Sequence, residues 1–152
     1  MHSKRSSTNA LSLGDSIRFG RDGNYTYFEP EGFGPEDSSA HTWNDGYSAI
    51  LSFQTVAPIE RGRISISVDP FIAERVPSQD LFVYLNGLWM GFSRIRRADV
   101  LHCPIGPRYV APGRNLLALV MPNATSPKEI GTGSDLRRLG FAFREIALVT
   151  DT

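Results

Sequence analysis

The sequence predicts an all-β domain: an antiparallel β-sandwich of jelly-roll type with eight or nine short strands and little or no helix. Three observations predict it. Apolar residues recur with a period of two in segment after segment, as half-buried strands require. Fourteen glycines and ten prolines punctuate those segments. No stretch of eleven or more residues carries a helical stripe; residues 134–139 come nearest, with one turn at most.

The elements follow in order. Residues 16–19 and 25–28 are short strand candidates. Residues 47–53 place Ala49, Leu51 and Phe53 on one face, and 63–69 place Ile64, Ile66 and Val68 inward with Ser65 and Ser67 outward. Residues 81–85 and 88–92 flank Asn86-Gly87, a strong short-range hairpin signal because both residues tolerate positive φ. Residues 100–105, 115–121 and 141–149 supply three more strands. Pro58, Pro70, Pro77, Pro104, Pro107, Pro112, Pro122 and Pro127 fall where strands end. Residues 31–44 and 122–133 read as long loops, which often carry function. Residues 1–12 read as a flexible arm and 13–152 as one sandwich domain.

Composition narrows the partners. The chain has 152 residues, 41% of them hydrophobic, enough for one real core without staples. Sixteen basic residues balance sixteen acidic ones, so no general field draws in nucleic acid or anionic lipid. Cys103 is the only cysteine, which rules out an internal disulfide and a cysteine-based zinc site. No apolar stretch has signal-peptide or membrane-spanning length. The expectation is a cytoplasmic protein with no membrane insertion and no cofactor, although loop oxygens are compatible with a structural calcium ion.

A two-residue turn fixes the hairpin register. It sets Leu85 opposite Leu88, Tyr84 opposite Trp89, Val83 opposite Met90, and Phe82 opposite Gly91. Leu81, Val83, Leu85, Leu88, Met90 and Phe92 then form the core face. The other face carries Phe82, Tyr84 and Trp89, with a gap at Gly91. Such a face suits sugar rings, which stack on flat aromatics while hydroxyls seek polar groups such as Arg94 and Asn86. The alternative is that a loop, the arm or another subunit covers it, or that the rings simply stabilise the sheet.

The segment 28–46 gathers Glu36, Asp37, His41, Trp43 and Asp45. Glu36 with Asp45 is a conceivable carboxylate pair for hydrolysis, and His41 a proton shuttle. None has the spacing of a metal or triad motif. No nucleophile elbow, P-loop or dinucleotide fingerprint occurs. Plainer roles are open: His41 as a loop histidine, Trp43 as a plug at the sandwich edge, Asn44-Asp45-Gly46 as a turn, and Glu36 as a loop anchor or a ligand contact.

Two sets of residues resemble a known family. Phe82-Val83-Tyr84-Leu85-Asn86-Gly87, with Pro112-Gly113-Arg114-Asn115-Leu116-Leu117, is similar to the galactose-binding-like β-sandwiches. Gly32-Phe33-Gly34-Pro35-Glu36, Trp43-Asn44-Asp45-Gly46 and Asp135-Leu136-Arg137-Arg138-Leu139-Gly140 resemble segments of accessory sandwiches in bacterial polysaccharide proteins, where they accompany glycosyltransferases and glycan-modifying enzymes. The resemblance spans roughly residues 15–150. It departs in Phe33, where tryptophan is usual, and in a longer insertion between Glu36 and Trp43. It implies that Glu36, Trp43 and Arg137 meet, with an Arg137–Glu36 or Arg137–Asp45 pair locking the loop to the last strand.

These readings converge on a non-catalytic carbohydrate-binding or glycan-associated module. The candidate ligand contacts are Trp89, Tyr84, Phe82, Arg94, Asn86, Glu36, Trp43 and Asp45, and the structural lock is Glu36 with Arg137. The second reading is a scaffold domain that docks on a polysaccharide-pathway protein, or on a second copy as a homo-oligomer, through Phe82, Tyr84 and Trp89. The third is a small hydrolase using Glu36, His41 and Asp45.

Overall fold

The computed structural model describes residues 8–150. Nine strands and one short 3-10 turn appear: β1 Ser16–Arg18, the turn Tyr25–Phe28, β2 Thr42–Trp43, β3 Ser48–Thr55, β4 Arg63–Pro70, β5 Gln79–Leu85, β6 Leu88–Ile95, β7 Asp99–Pro104, β8 Gly113–Val120 and β9 Phe141–Val149. They build two antiparallel sheets. One runs β3-β8-β5-β6. The other runs β9-β4-β7, with β1 and β2 pairing in series along the free edge of β9.

The core fills the space between the sheets, as period-two strands demand. Leu51, Phe53, Leu81, Val83, Leu85, Leu117 and Leu119 come from one inner face. Ile64, Ile66, Val68, Phe141, Phe143, Ile146 and Leu148 come from the other. Phe19, Tyr25, Phe33 and Phe143 form an aromatic cluster, with ring centroids 5.1 to 6.2 Å apart. Phe33 is therefore a packing residue, partly buried against the core.

Several expectations need correction. Residues 25–28 are not a strand. The Asn24 side chain accepts from the Arg18 amide and donates to the Ser16 carbonyl, and the Tyr27 amide donates to the Asn24 carbonyl. These bonds curl the segment, and Glu29 at φ 48° ends it. Of the arm 1–12, residues 1–7 lie outside the described residues. Ala10 pairs in parallel with Gln54 of β3, and Leu11 is buried.

The β5-β6 hairpin departs from ideal register. Leu85 faces Leu88 and Tyr84 faces Trp89, but Val83 faces Gly91 and Phe82 faces Phe92. Met90 is the extra residue of a β-bulge, which moves everything beyond it by one position. Met90 stays buried, and a Cβ on Gly91 would lie 3.1 Å from the Cys103 sulfur, so Gly91 also faces inward. Phe92 turns outward instead of filling the core, and Leu88 at the turn is exposed. The anticipated gap at Gly91 is closed by the Phe92 ring.

Candidate functional site

The outer faces of the two sheets differ in chemistry. On the β9-β4-β7 sheet the outward positions include Ser65 bonded to His102 at 2.8 Å, Ser67, and Asp69 paired with Arg144 at 3.3 Å. On the other sheet, β5 and β6 present three cross-strand rungs: Tyr84–Trp89, Phe82–Phe92 and Asp80–Arg94. Successive rungs lie about 7 Å apart, two residues along β5. Phe82 and Phe92 are tilted against each other with centroids 4.7 Å apart. Trp89 is 56% exposed and Phe92 41%. Beside the rungs, Ala118 and Val120 of β8 provide a smaller, flatter floor opposite Tyr84 and Phe82.

The charges on this face are neutralised in pairs. Arg94 donates from Nε and Nη2 to both Asp80 oxygens at 2.8 and 3.1 Å, a bidentate geometry. The Asp80 bond raises the Arg94 pKa further. At the opposite margin Glu29 accepts from the Ser52 hydroxyl and from Arg114, and these bonds depress its carboxyl. The face is thus aromatic and apolar, with polar rims that carry little net charge.

Asn86, expected as a ligand contact, is committed within the chain. It takes φ 52° at the turn, and its Nδ2 donates to the Tyr109 carbonyl and to Asn115 Oδ1, both at 2.8 Å. Its Oδ1 accepts from the Leu116 amide. Asn115 is fully buried and also bonds Thr55, Ala111 and Gly113. This amide pair explains why an Asn-Gly strand end and a Gly-x-Asn strand start occur together. Tyr109 adds a bond from its hydroxyl to the Trp89 carbonyl at 3.0 Å, bracing the hairpin from below.

The remaining candidates lie on the other sheet, away from the aromatic rungs. Trp43 stands on β2 opposite Ala142, half-buried, with His41 edge-on at 6.3 Å. Asp45 accepts from the Arg138 amide at 3.1 Å. Arg137 does tie the loop to the segment before β9, but through Asp37 at 3.3 Å and Asp135 at 2.7 Å, not through Glu36 or Asp45. Asp135 closes its own turn on the Arg137 amide, which sets the guanidinium beside Asp37 and over Gly34. The Glu36 carboxylate acts instead on Tyr25, whose hydroxyl is raised first by burial and then by that acid.

Asn44 is the residue that sequence reasoning missed. It is fully buried; its Oδ1 accepts from Gly140 and Phe141 amides at 2.8 Å, and its Nδ2 donates to the Gly46 carbonyl at 2.7 Å. Its place inside a turn tripeptide concealed this role. Among the described residues no hydrogen bond joins Glu36, His41 and Asp45, and no group of three or more His, Cys, Asp or Glu is placed to hold a metal ion. No helix of the described residues is long and apolar enough to cross a membrane.

No family model and no curated protein matches the sequence. Among solved structures the chain is similar to the insecticidal delta-endotoxin Cry8Ea1 from Bacillus thuringiensis, at 12% identity and TM-score 0.59, over 95% of this chain and 26% of the endotoxin. It is similar to a glycoside hydrolase family 43 arabinoxylan arabinofuranohydrolase from Bacillus subtilis, at 11% identity and TM-score 0.50, over 95% of this chain and 28% of that one. It is also similar to the CBM36-1 domain of a multidomain xylanase from the hindgut metagenome of Trinervitermes trinervoides. There the identity is 10% and the TM-score 0.50, over 90% of this chain and 98% of the domain. The chain thus spans about a quarter of the first two proteins and nearly all of the third. The fold is the galactose-binding-like β-sandwich.

Proposed function

We propose that this domain is a non-catalytic carbohydrate-binding module of a bacterial polysaccharide system, which holds an uncharged saccharide against Trp89, Tyr84, Phe82 and Phe92. One observation carries the reading: four aromatic residues share the outer face of one sheet, two of them more than 40% exposed, while the other outer face carries Ser65, Ser67, His102 and the Asp69–Arg144 pair beside Val100. Exposed aromatic surface of this extent has a use, because a sugar's apolar face stacks on a ring while its hydroxyls remain wet. The paired charges of Arg94 and Arg114 favour a neutral ligand. The free N–H groups left on Arg94 and the Asp80 rim supply hydrogen bonds for hydroxyls. The fold shared with a xylanase domain supports a carbohydrate partner without identifying it.

Calorimetric titration with neutral oligosaccharides tests the reading. Trp89→Ala should weaken binding about tenfold or more, roughly 1.5 kcal/mol for a lost stacking ring. Because the Trp89 ring is largely in water, the same variant should change stability by less than about 0.5 kcal/mol. Absence of binding to every neutral glycan, together with a concentration-dependent dimer that Trp89→Ala dissolves, would transfer the face to self-association.

A further inference from the structure

Beyond the Asp80–Arg94 rung, the same sheet ends in an open cleft of about 410 Å³ that the aromatic face does not include. Its size is at the lower end of ligand sites, suited to one or two sugar rings. Three segments line it, two pinned by backbone bonds and one by a side chain. Ala73 and Val76 exchange both amide-to-carbonyl bonds, at 3.0 and 2.9 Å, which puts Arg75 at the tip of a closed two-residue turn. Thr125 and Leu139 do the same at 3.0 Å on the opposite wall. Asn123 is fixed between them by its Oδ1, which accepts from the Asp80 amide at 2.8 Å.

The cleft's charges do not cancel. Arg138 is paired with Glu129 at 2.9 Å, and its guanidinium lies 5.3 Å from the centre of the Tyr47 ring. Arg75 is exposed and has no acceptor among the described residues. The lining therefore holds two arginines against one glutamate, a net charge of +1. Asn123 keeps its amide N–H groups and Ser78 its hydroxyl free to donate. Tyr47 is half exposed and offers a ring edge and face. A preformed site with surplus donors, one unpaired guanidinium and one aromatic ring matches a ring-shaped ligand bearing a carboxylate.

We propose that this cleft is a second binding site, one that takes an acidic sugar, with its carboxylate on Arg75 and its ring against Tyr47. The proposal rests on the saccharide reading above for the kind of ligand, but it uses different residues. A mixed polysaccharide, with neutral units on the aromatic rungs and a uronic acid unit at the sheet end, would engage both.

Amide chemical shifts of the full chain, titrated with D-glucuronate, D-galacturonate, D-glucose and inorganic phosphate, test it. The uronates should move the Ser78, Asn123 and Thr125 amides and glucose should not. Arg75→Gln should weaken uronate binding at least tenfold without changing the rest of the spectrum, since Arg75 supports no other residue. Raising the salt to about 0.5 M should weaken it several-fold. Trp89→Ala should leave the uronate response intact, so failure on the aromatic rungs and failure here are read separately. Equal response to glucose and uronate, a response in Arg75→Gln within twofold of the parent, or phosphate binding as tightly as uronate would overturn the acidic-sugar assignment.

Discussion

At the scale of single residues, two buried asparagines organise the loops. Asn44 uses its carboxamide to bond the distant Gly140 and Phe141 amides, and Asn115 joins the nearby backbone of Ala111 and Gly113 to the side chains of Thr55 and Asn86. Truncating either leaves several buried donors and acceptors without partners, at about 1–3 kcal/mol for each group left unsatisfied. Asn115→Ala should therefore destabilise the domain by about 3 kcal/mol, or roughly 6–12 °C in Tm for a chain of this size. Thermal unfolding by circular dichroism measures this. A loss under about 1 kcal/mol would mean that water replaces the amide and that the Asn86 turn stands without it. The asparagines were visible in the sequence as motif letters, but not as hubs, because turn chemistry alone accounts for Asn86-Gly87 and for Asn44-Asp45-Gly46. The expected Glu36–Arg137 lock was one position off. Asp37, the next residue, reaches the guanidinium, while Glu36 turns towards Tyr25.

At the scale of elements, periodicity located strands well and located their distortions badly. The inward triplet of β4 was legible as an alternating run, and β9 as a long apolar run, although a bulge at Arg144 moves its inward positions from Phe141 and Phe143 to Ile146 and Leu148. Strand β2 is two residues long and has no period to read. The bulge at Met90 was hidden because Leu88, Met90 and Phe92 satisfy alternation as well as the true arrangement does. What breaks the tie is tertiary: Gly91 fits against the Cys103 sulfur, where an ideal register would have put the Phe92 ring into an already filled core. The bulge is thus what turns Phe92 outward to complete the ring-bearing face. Gly91→Val tests this. Its Cβ would start 3.1 Å from the sulfur, and overpacking of this kind costs about 1–3 kcal/mol. We expect a loss near 2 kcal/mol in urea unfolding, together with weaker glycan binding as Phe92 shifts. Unchanged stability would show that Gly91 does not face the core.

At the scale of the whole molecule, the titratable groups bound a window of stability. The Ser52 and Arg114 bonds depress Glu29, and the Arg137 bonds depress Asp135. A depressed carboxyl stabilises the fold above its unfolded pKa and stops doing so as pH falls through the folded value, so these two groups set an acid limit below about pH 4.5. Glu29 is largely in water and Asp135 part-buried, and their effect is small. The alkaline limit has buried origins. Burial pushes the Cys103 thiol up from 9.0 to about 11, and burial with Glu36 raises Tyr25. A raised acid favours the folded state fully below its unfolded pKa, and that contribution disappears as pH rises through the folded pKa. Tm should therefore hold level from about pH 5 to 9 and fall between 9 and 11. Cys103→Ala removes the thiol from this balance and should make the alkaline fall shallower, although the variant starts from a lower Tm because it leaves a small cavity beside Gly91. Tyr25→Phe, in the same background, should flatten the fall further. Scanning calorimetry across pH decides the point: an alkaline slope identical in the parent and in Cys103→Ala would mean that the thiol does not titrate in an apolar interior, and that the packing of β7 against the bulged strand is looser than Cys103 and Gly91 imply.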